Sequence, residues 1–170
     1  MTISFTAEPV GVLITGGTLD KIHDTVSEGL VLDGATRVSD IFEQGRTGVS
    51  RFENLMQIDS LDMTNEDREK ILNAVCQAPE DRLIITHGTG TMGETARYLE
   101  AALKENSNEK TIVLTGAMRP WSLGRSDGTF NLGGAIIAAR LLPAGVYGVM
   151  NGRVFDAQKL HKNAASGRFD

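Results

Sequence analysis

The chain has 170 residues, 41% hydrophobic and 23% charged, the size and balance of one folded domain, which excludes a largely disordered chain. Its net charge of −5 disfavours a nucleic-acid binder, and no apolar run reaches the ~20 residues of a membrane span. A lone cysteine, Cys76, excludes an intrachain disulfide or a cysteine-based zinc site. Met1 to Glu8 hold no basic stretch followed by a long apolar one, so no secretory signal is expected and a cytoplasmic location is. Charge is uneven. Residues 1–110 carry ten Lys/Arg against nineteen Asp/Glu, and residues 111–170 carry seven against three. The positive last third suits a small anionic group or, more simply, a solvated surface.

Four apolar runs read as buried strands: Val10 to Ile14, Leu83 to Ile85, Thr111 to Leu114 and Val146 to Met150. Leu55 to Ile58 is a shorter fifth. Residues 20–37 fit no strand–helix unit and predict a hairpin or loop, with Gly29 and Asp33-Gly34 as turns. Asp40 to Glu43 reads as a short helix. Thr64 and Asp67 form a capping box ahead of Ile71, Leu72, Val75 and Cys76, which would share one apolar face. Cys76 is thus expected in the core. Thr91 and Glu94 repeat the signature ahead of Met92, Ala96, Leu99 and Leu103. Asp127 opens a further helix, with Leu132, Ala135, Ile136, Ala139 and Leu142 inward and Pro143 just beyond. Strands alternating with helices predict a parallel sheet covered on both faces, an open doubly wound α/β domain over residues 1–170.

Nineteen glycines, about 11% against a usual ~7%, gather where apolar runs end. Three strands end alike, in Thr15-Gly16-Gly17-Thr18, in Thr86-His87-Gly88-Thr89-Gly90-Thr91 and in Thr115-Gly116-Ala117-Met118. In a parallel sheet these are carboxyl ends on one edge, where open α/β folds bind ligands. Glycine lets backbone N–H groups approach a ligand, and following helix N-termini add donors. A threonine hydroxyl there becomes a nucleophile if a base takes its proton. A tight Thr-Gly turn explains one such loop; three on one edge point to a site.

Gly88 to Gly93 also matches G-x-G-x-x-G, so a dinucleotide-binding domain is a lesser alternative. That fingerprint requires an acidic residue at the end of the next strand, where Thr115 to Met118 stand instead. His23, His87 and His161 lack metal-like spacing, and His87 reads as a buried turn residue. No metal site is expected.

The loops together resemble the bacterial-type L-asparaginase family. Thr15-Gly16-Gly17-Thr18 is similar to its first motif, and Ile85 to Ala96 to its second. Gly116-Ala117-Met118-Arg119-Pro120 and Ser126-Asp127-Gly128-Thr129-Phe130-Asn131-Leu132 follow in order. The resemblance covers the family's amino-terminal domain, in the manner of short forms without a second domain; Met150 to Phe155 and Lys162-Asn163 are similar to those forms. It implies an open, mainly parallel sheet in flavodoxin-like order and hydrolysis of L-asparagine, or L-glutamine, to the acid and ammonia. It also implies no cofactor, a small amino-acid amide as partner, and a homo-oligomer, dimer or tetramer.

By motif, the resemblance makes Thr18 the nucleophile, Thr89 the second catalytic threonine and Lys162 its partner. It puts Gly17, Asp59, Ser60, Gly88, Gly90 and Ala117 at the substrate, Ser60 against its carboxylate and the Ala117 carbonyl against the leaving amide. The chemistry agrees. An amide is a poor electrophile, so a covalent ester step helps, and the oxyanion needs fixed N–H donors such as those of Thr18 and Thr89. Lys162 would serve as base.

The chain departs from the family pattern at Gly90, where the family has an aspartate that holds the substrate's ammonium group. Asp59 is the candidate replacement. Leu61 stands where longer members often have glutamine. The family's mobile tyrosine has no clear match, and His23, Asp20 or Lys21 would take its place beside Thr18. A non-catalytic protein binding a small amino acid is the alternative that Gly90 sustains.

Overall fold

A computed structural model describes residues 8–105 and 109–170. The residues read above for a secretory signal lie, apart from Glu8, outside the described residues. The strands are β1 (Val10–Gly16), β2 (Ile22–Asp24), β3 (Gly29–Val31), β4 (Arg51–Ile58), β5 (Arg82–Thr86), β6 (Thr111–Thr115), β7 (Gly145–Met150) and β8 (Arg153–Asp156). The helices are α1 (Val38–Gln44), α2 (Asn65–Gln77), α3 (Met92–Glu105) and α4 (Gly128–Leu141). Six strands form one sheet in the order β4-β1-β5-β6-β7-β8, and β2 pairs with β3 apart from it. β4, β1, β5, β6 and β7 are parallel, and β8 returns antiparallel on the edge. This is the expected α/β fold with its flavodoxin-like order.

The apolar runs are continuous because both faces of the sheet are covered. Leu13, Leu83, Ile85, Ile112 and Leu114 pack under α2 and α3 with Ile71, Val75, Ala96 and Leu99. Their alternates Val10, Val12, Ile14, Ile84 and Val113 pack under α1 and α4 with Ile41, Phe42, Leu132 and Ala135. The two-residue period of each strand thus divides its side chains between two cores.

Several local readings need correction. Residues 20–37 do form a hairpin, but Gly29 lies in β3 opposite Asp24, and the turn runs through residues 25–28. The edge strand β4 is eight residues long, not four. Its first half alternates half-buried and exposed positions, so it carries no apolar run there. β8 was unforeseen, yet Asn151-Gly152 between it and β7 is a strong hairpin signal, with both residues at positive φ (55° and 73°) as a type I′ turn needs. Thr64 and Asp67 make the expected capping box on α2. Cys76 is exposed, not core. It follows the buried Val75 by one residue, about 100° around the helix.

Candidate active site

The ends of β1, β5 and β6 converge as the strand order requires. Thr15 Oγ1 donates to the Thr86 carbonyl across β1 and β5 (2.7 Å), and Thr115 Oγ1 to the Val149 carbonyl across β6 and β7 (2.8 Å). These threonines brace the sheet edge. Beyond them the first two loops touch. Gly17 has φ +84°, and a Cβ there would lie 2.5 Å from the Gly88 backbone. Only glycine lets the chains meet so closely. The contact sets Thr18 and Thr89, each one residue further on, on either side of the glycine pair. His87 N–H donates to the Thr115 carbonyl (2.8 Å), tying in the third loop.

Thr18 is half-buried and its hydroxyl makes no hydrogen bond among the described residues. Thr89 is 6% exposed. Lys162 Nζ donates to Thr89 Oγ1 at 3.1 Å. The backbone N–H groups of Thr18 and Thr89 find no acceptor among the described residues. Unpaired amide donors beside a free hydroxyl are what an oxyanion and its nucleophile require. Ser60 is 2% exposed; its Oγ accepts from the Gly90 amide (3.1 Å) and its carbonyl from Thr91 Oγ1 (2.7 Å). Gly88 leaves no room for a side chain, since a Cβ would stand 2.5 Å from Ser60 Oγ. Ala117 is fully buried in the third loop. The structure therefore brings Gly17 against Gly88, Ser60 against Gly88 and Gly90, and Lys162 against Thr89, with Thr18 and Ala117 on the first and third loops.

His87 is the buried turn residue expected, with Nδ1 on the Gly88 carbonyl (2.8 Å) and Nε2 facing Met63 Sδ (3.1 Å). Burial holds its pKa down to about 4, so it supports the loop as a neutral ring.

None of the three candidates for Thr18's neighbour makes a hydrogen bond to its hydroxyl; the Lys21 amide donates to the Thr18 carbonyl instead (3.2 Å). His23 is exposed on β2, opposite Leu30. Asp20 is buried and accepts from Thr36 Oγ1, the Arg37 amide and Gln57 Nε2, which anchors the start of α1. Lys21 pairs with Asp59, Nζ to Oδ2 at 2.5 Å. Asp59 also accepts from the Leu61 amide (3.0 Å), and these two contacts, in the order Leu61 then Lys21, hold its carboxyl below the usual range. Asp59 is thus already engaged. Gly90 is exposed, and Leu61 lies over it.

Several contacts were not read from the sequence. The tail after β8 crosses the start of α3, where a Cβ on Gly93 would run into the Leu160 carbonyl. Gly93 is the small residue that lets the tail deliver Lys162. The Thr91 and Glu94 signature is used differently from a capping box. The Thr91 hydroxyl goes to Ser60, and Glu94 pairs with the buried Arg68 of α2 (3.2 Å). Asp127 precedes α4 as expected, but its carboxylate accepts from the Met118 and Arg119 amides (3.0 Å each) and holds the third loop.

Comparison with known proteins shows which family the chain is similar to. The family profile described as "Asparaginase, N-terminal" matches residues 9–169. A probable periplasmic L-asparaginase of Haemophilus influenzae is 32% identical over 92% of this chain and 47% of its own length. L-asparaginase 2 of Escherichia coli is 31% identical over 90% of this chain and 46% of its own. The thermostable L-asparaginase of Thermococcus kodakarensis superposes with a TM-score of 0.74 at 25% identity, over 94% of this chain and 50% of that one. The chain spans about half the length of these curated relatives. With its loops in the family's order and its profile matched nearly end to end, the chain belongs to the asparaginase family, through that family's N-terminal domain.

Proposed function

We propose that the protein is an amidohydrolase that converts L-asparagine, and secondarily L-glutamine, to the acid and ammonia through an acyl-enzyme on Thr18. The observation that supports this reading is the Gly17–Gly88 contact, which packs the loop that carries Thr18 against the loop whose Thr89 accepts from Lys162. Thr18 Oγ bonds to the amide carbon while the Thr18 and Thr89 amides take the developing oxyanion. The C–N bond then breaks, and the proton given up by Thr18 leaves with ammonia. With Lys162 donating to its oxygen, Thr89 keeps its one O–H to pass that proton on. Water attacks the ester, returns a proton to Thr18 and releases the acid. Ser60 and Ala117 line the substrate beside Gly17, Gly88 and Gly90.

The test is ammonia release from L-asparagine by the purified protein, with Thr18→Ala alongside. Thr18→Ala is expected to lower the rate at least ~10³-fold, and mass spectrometry to find the acyl adduct on Thr18. Full activity in Thr18→Ala removes the nucleophile. An inert wild type that still binds L-asparagine favours a non-catalytic binding protein.

The compartment and assembly belong to the same reading. The exposed free thiol of Cys76 suits a reducing compartment such as the cytoplasm, which cell fractionation tests. No helix among the described residues is long and apolar enough to cross a membrane. The homo-oligomer follows from the family alone, and sedimentation measures it.

A further inference from the structure

The mouth of the site has an unusual charge balance. Lys21 and Lys162 bring two cations to it. Asp59 is the carboxylate facing them, and its Oδ2 is held by Lys21 and its Oδ1 by the Leu61 amide. Among the described residues Lys162 has no carboxylate within ion-pair distance; its contact is the neutral Thr89 hydroxyl. Asp62 is exposed and forms no ion pair or hydrogen bond with these groups through its side chain. Asp20 is taken up by Thr36, Arg37 and Gln57, and Asp127 by the amides of the third loop. His87 beneath the loop is neutral. The start of α3 adds further partial positive charge on the same side.

An incoming ammonium group therefore meets two cations and a carboxylate, Asp59, whose charge Lys21 already balances. The wall at Gly90 is equally unsuited to it. A Cβ on Gly90 would lie 2.7 Å from Leu61 Cδ2, so a leucine methyl fills that side of the mouth. Leu61 is 76% exposed and presents its apolar end there. With Lys21 paired to Asp59 and Lys162 left without an ion pair, the mouth keeps a net positive charge beside an apolar wall, which favours a group that is anionic and carries no positive charge.

We propose that this site is selective for primary ω-amides of dicarboxylic acids that lack a free ammonium group, with Gly90 and Leu61 as the specificity-determining pair. The proposal rests on the amidohydrolase reading above and narrows its substrate class. Such a substrate is a monoanion, either with no amine at all or with the amine acylated. Succinamate is the first kind and N-acetyl-L-asparagine the second. The reaction stays the same: water cleaves the C–N bond, and acid and ammonia form.

The experiment measures kcat/KM for ammonia release from succinamate, N-acetyl-L-asparagine and L-asparagine. Succinamate or the acylated amide is expected to exceed L-asparagine at least about tenfold, and the two arms show which source the mouth admits. Gly90→Asp should shift the ratio back toward L-asparagine. The φ of Gly90 lies outside the left-handed region, so aspartate fits the backbone; Ser60 Oγ, 3.1 Å from the new Cβ, must yield slightly, and the exposed Leu61 end must swing aside. Leu61→Ala combined with Gly90→Asp removes even that clash. A wild type that prefers L-asparagine overturns the proposal and leaves the amidohydrolase reading standing. If no amide is cleaved, the amidohydrolase reading fails, and calorimetric titration with succinate and L-aspartate still decides the selectivity. Tighter succinate binding supports it; equal or tighter L-aspartate binding, or no binding of either, overturns it.

Discussion

At the scale of single residues, His87 shows how burial turns a titratable group into a structural one. Its pKa in the fold is about 4 against 6.5 when unfolded. Between those values the unfolded chain binds a proton that the native one refuses. Stability therefore falls as pH drops from 6.5 to 4 and levels off below, with a total loss of about 3 kcal/mol. Urea denaturation across this range should show that slope, and His87→Gln should flatten it; an unchanged slope in the variant would place the titration elsewhere. Asp59 acts in the same direction as His87, its carboxyl being held low by the Leu61 amide and then by Lys21. Its contribution is present above the usual aspartate range and is lost in acid as it protonates. The sequence marked His87 as buried and Asp59 as a site residue. That Lys21 would occupy Asp59 was not legible, because the two are separated by 38 positions.

At the scale of elements, the site depends on how α3 receives the tail. The α3 start approaches Leu160 so closely that only glycine fits at residue 93. Gly93→Ala should cost about 1–3 kcal/mol, the usual range for forcing an extra carbon into a packed contact. It should also lower ammonia release in step, because the displaced tail carries Lys162 away from Thr89. Thermal unfolding and activity measured on the same sample test this; a stable variant with normal activity would show that the tail docks by other contacts. Element identity itself was readable where a pattern was strong. β1, β5, β6 and β7 are apolar runs, and α2 opens on its capping box. The alternating half of β4 and the short β8 lack such runs. Thr91 and Asp127 sat at the helix starts as read, but their side chains serve neighbouring loops, which no local signature distinguishes.

At the scale of the whole molecule, a chain of polar contacts links the third loop to the tail. Asn131 Nδ2 donates to the Gly116 carbonyl, Asn131 Oδ1 accepts from the Asn151 amide, and Asn151 Oδ1 accepts from the Phe169 amide. Phe169 is buried, lies 6.4 Å from the Phe155 ring between centroids, and pairs in a bridge with Lys162. Phe169→Ala should therefore cost about 3–5 kcal/mol, and lower kcat because the tail, without its buried ring, no longer holds Lys162 at Thr89. Chemical denaturation and steady-state kinetics read the two effects; a loss of stability with unchanged kcat would separate the tail's packing from its delivery of Lys162. By itself, the sequence determined an α/β fold with glycine-rich loops on one sheet edge, since apolar period, capping residues and turn glycines act over a few neighbouring positions. The resemblance alone paired Lys162 with Thr89; only the tertiary structure decided that Lys162 donates to the Thr89 hydroxyl across 73 positions, that Lys21 holds Asp59 and that Leu61 covers Gly90. Those contacts arise from the packing of distant segments against one another, and no local pattern of residues carries that information.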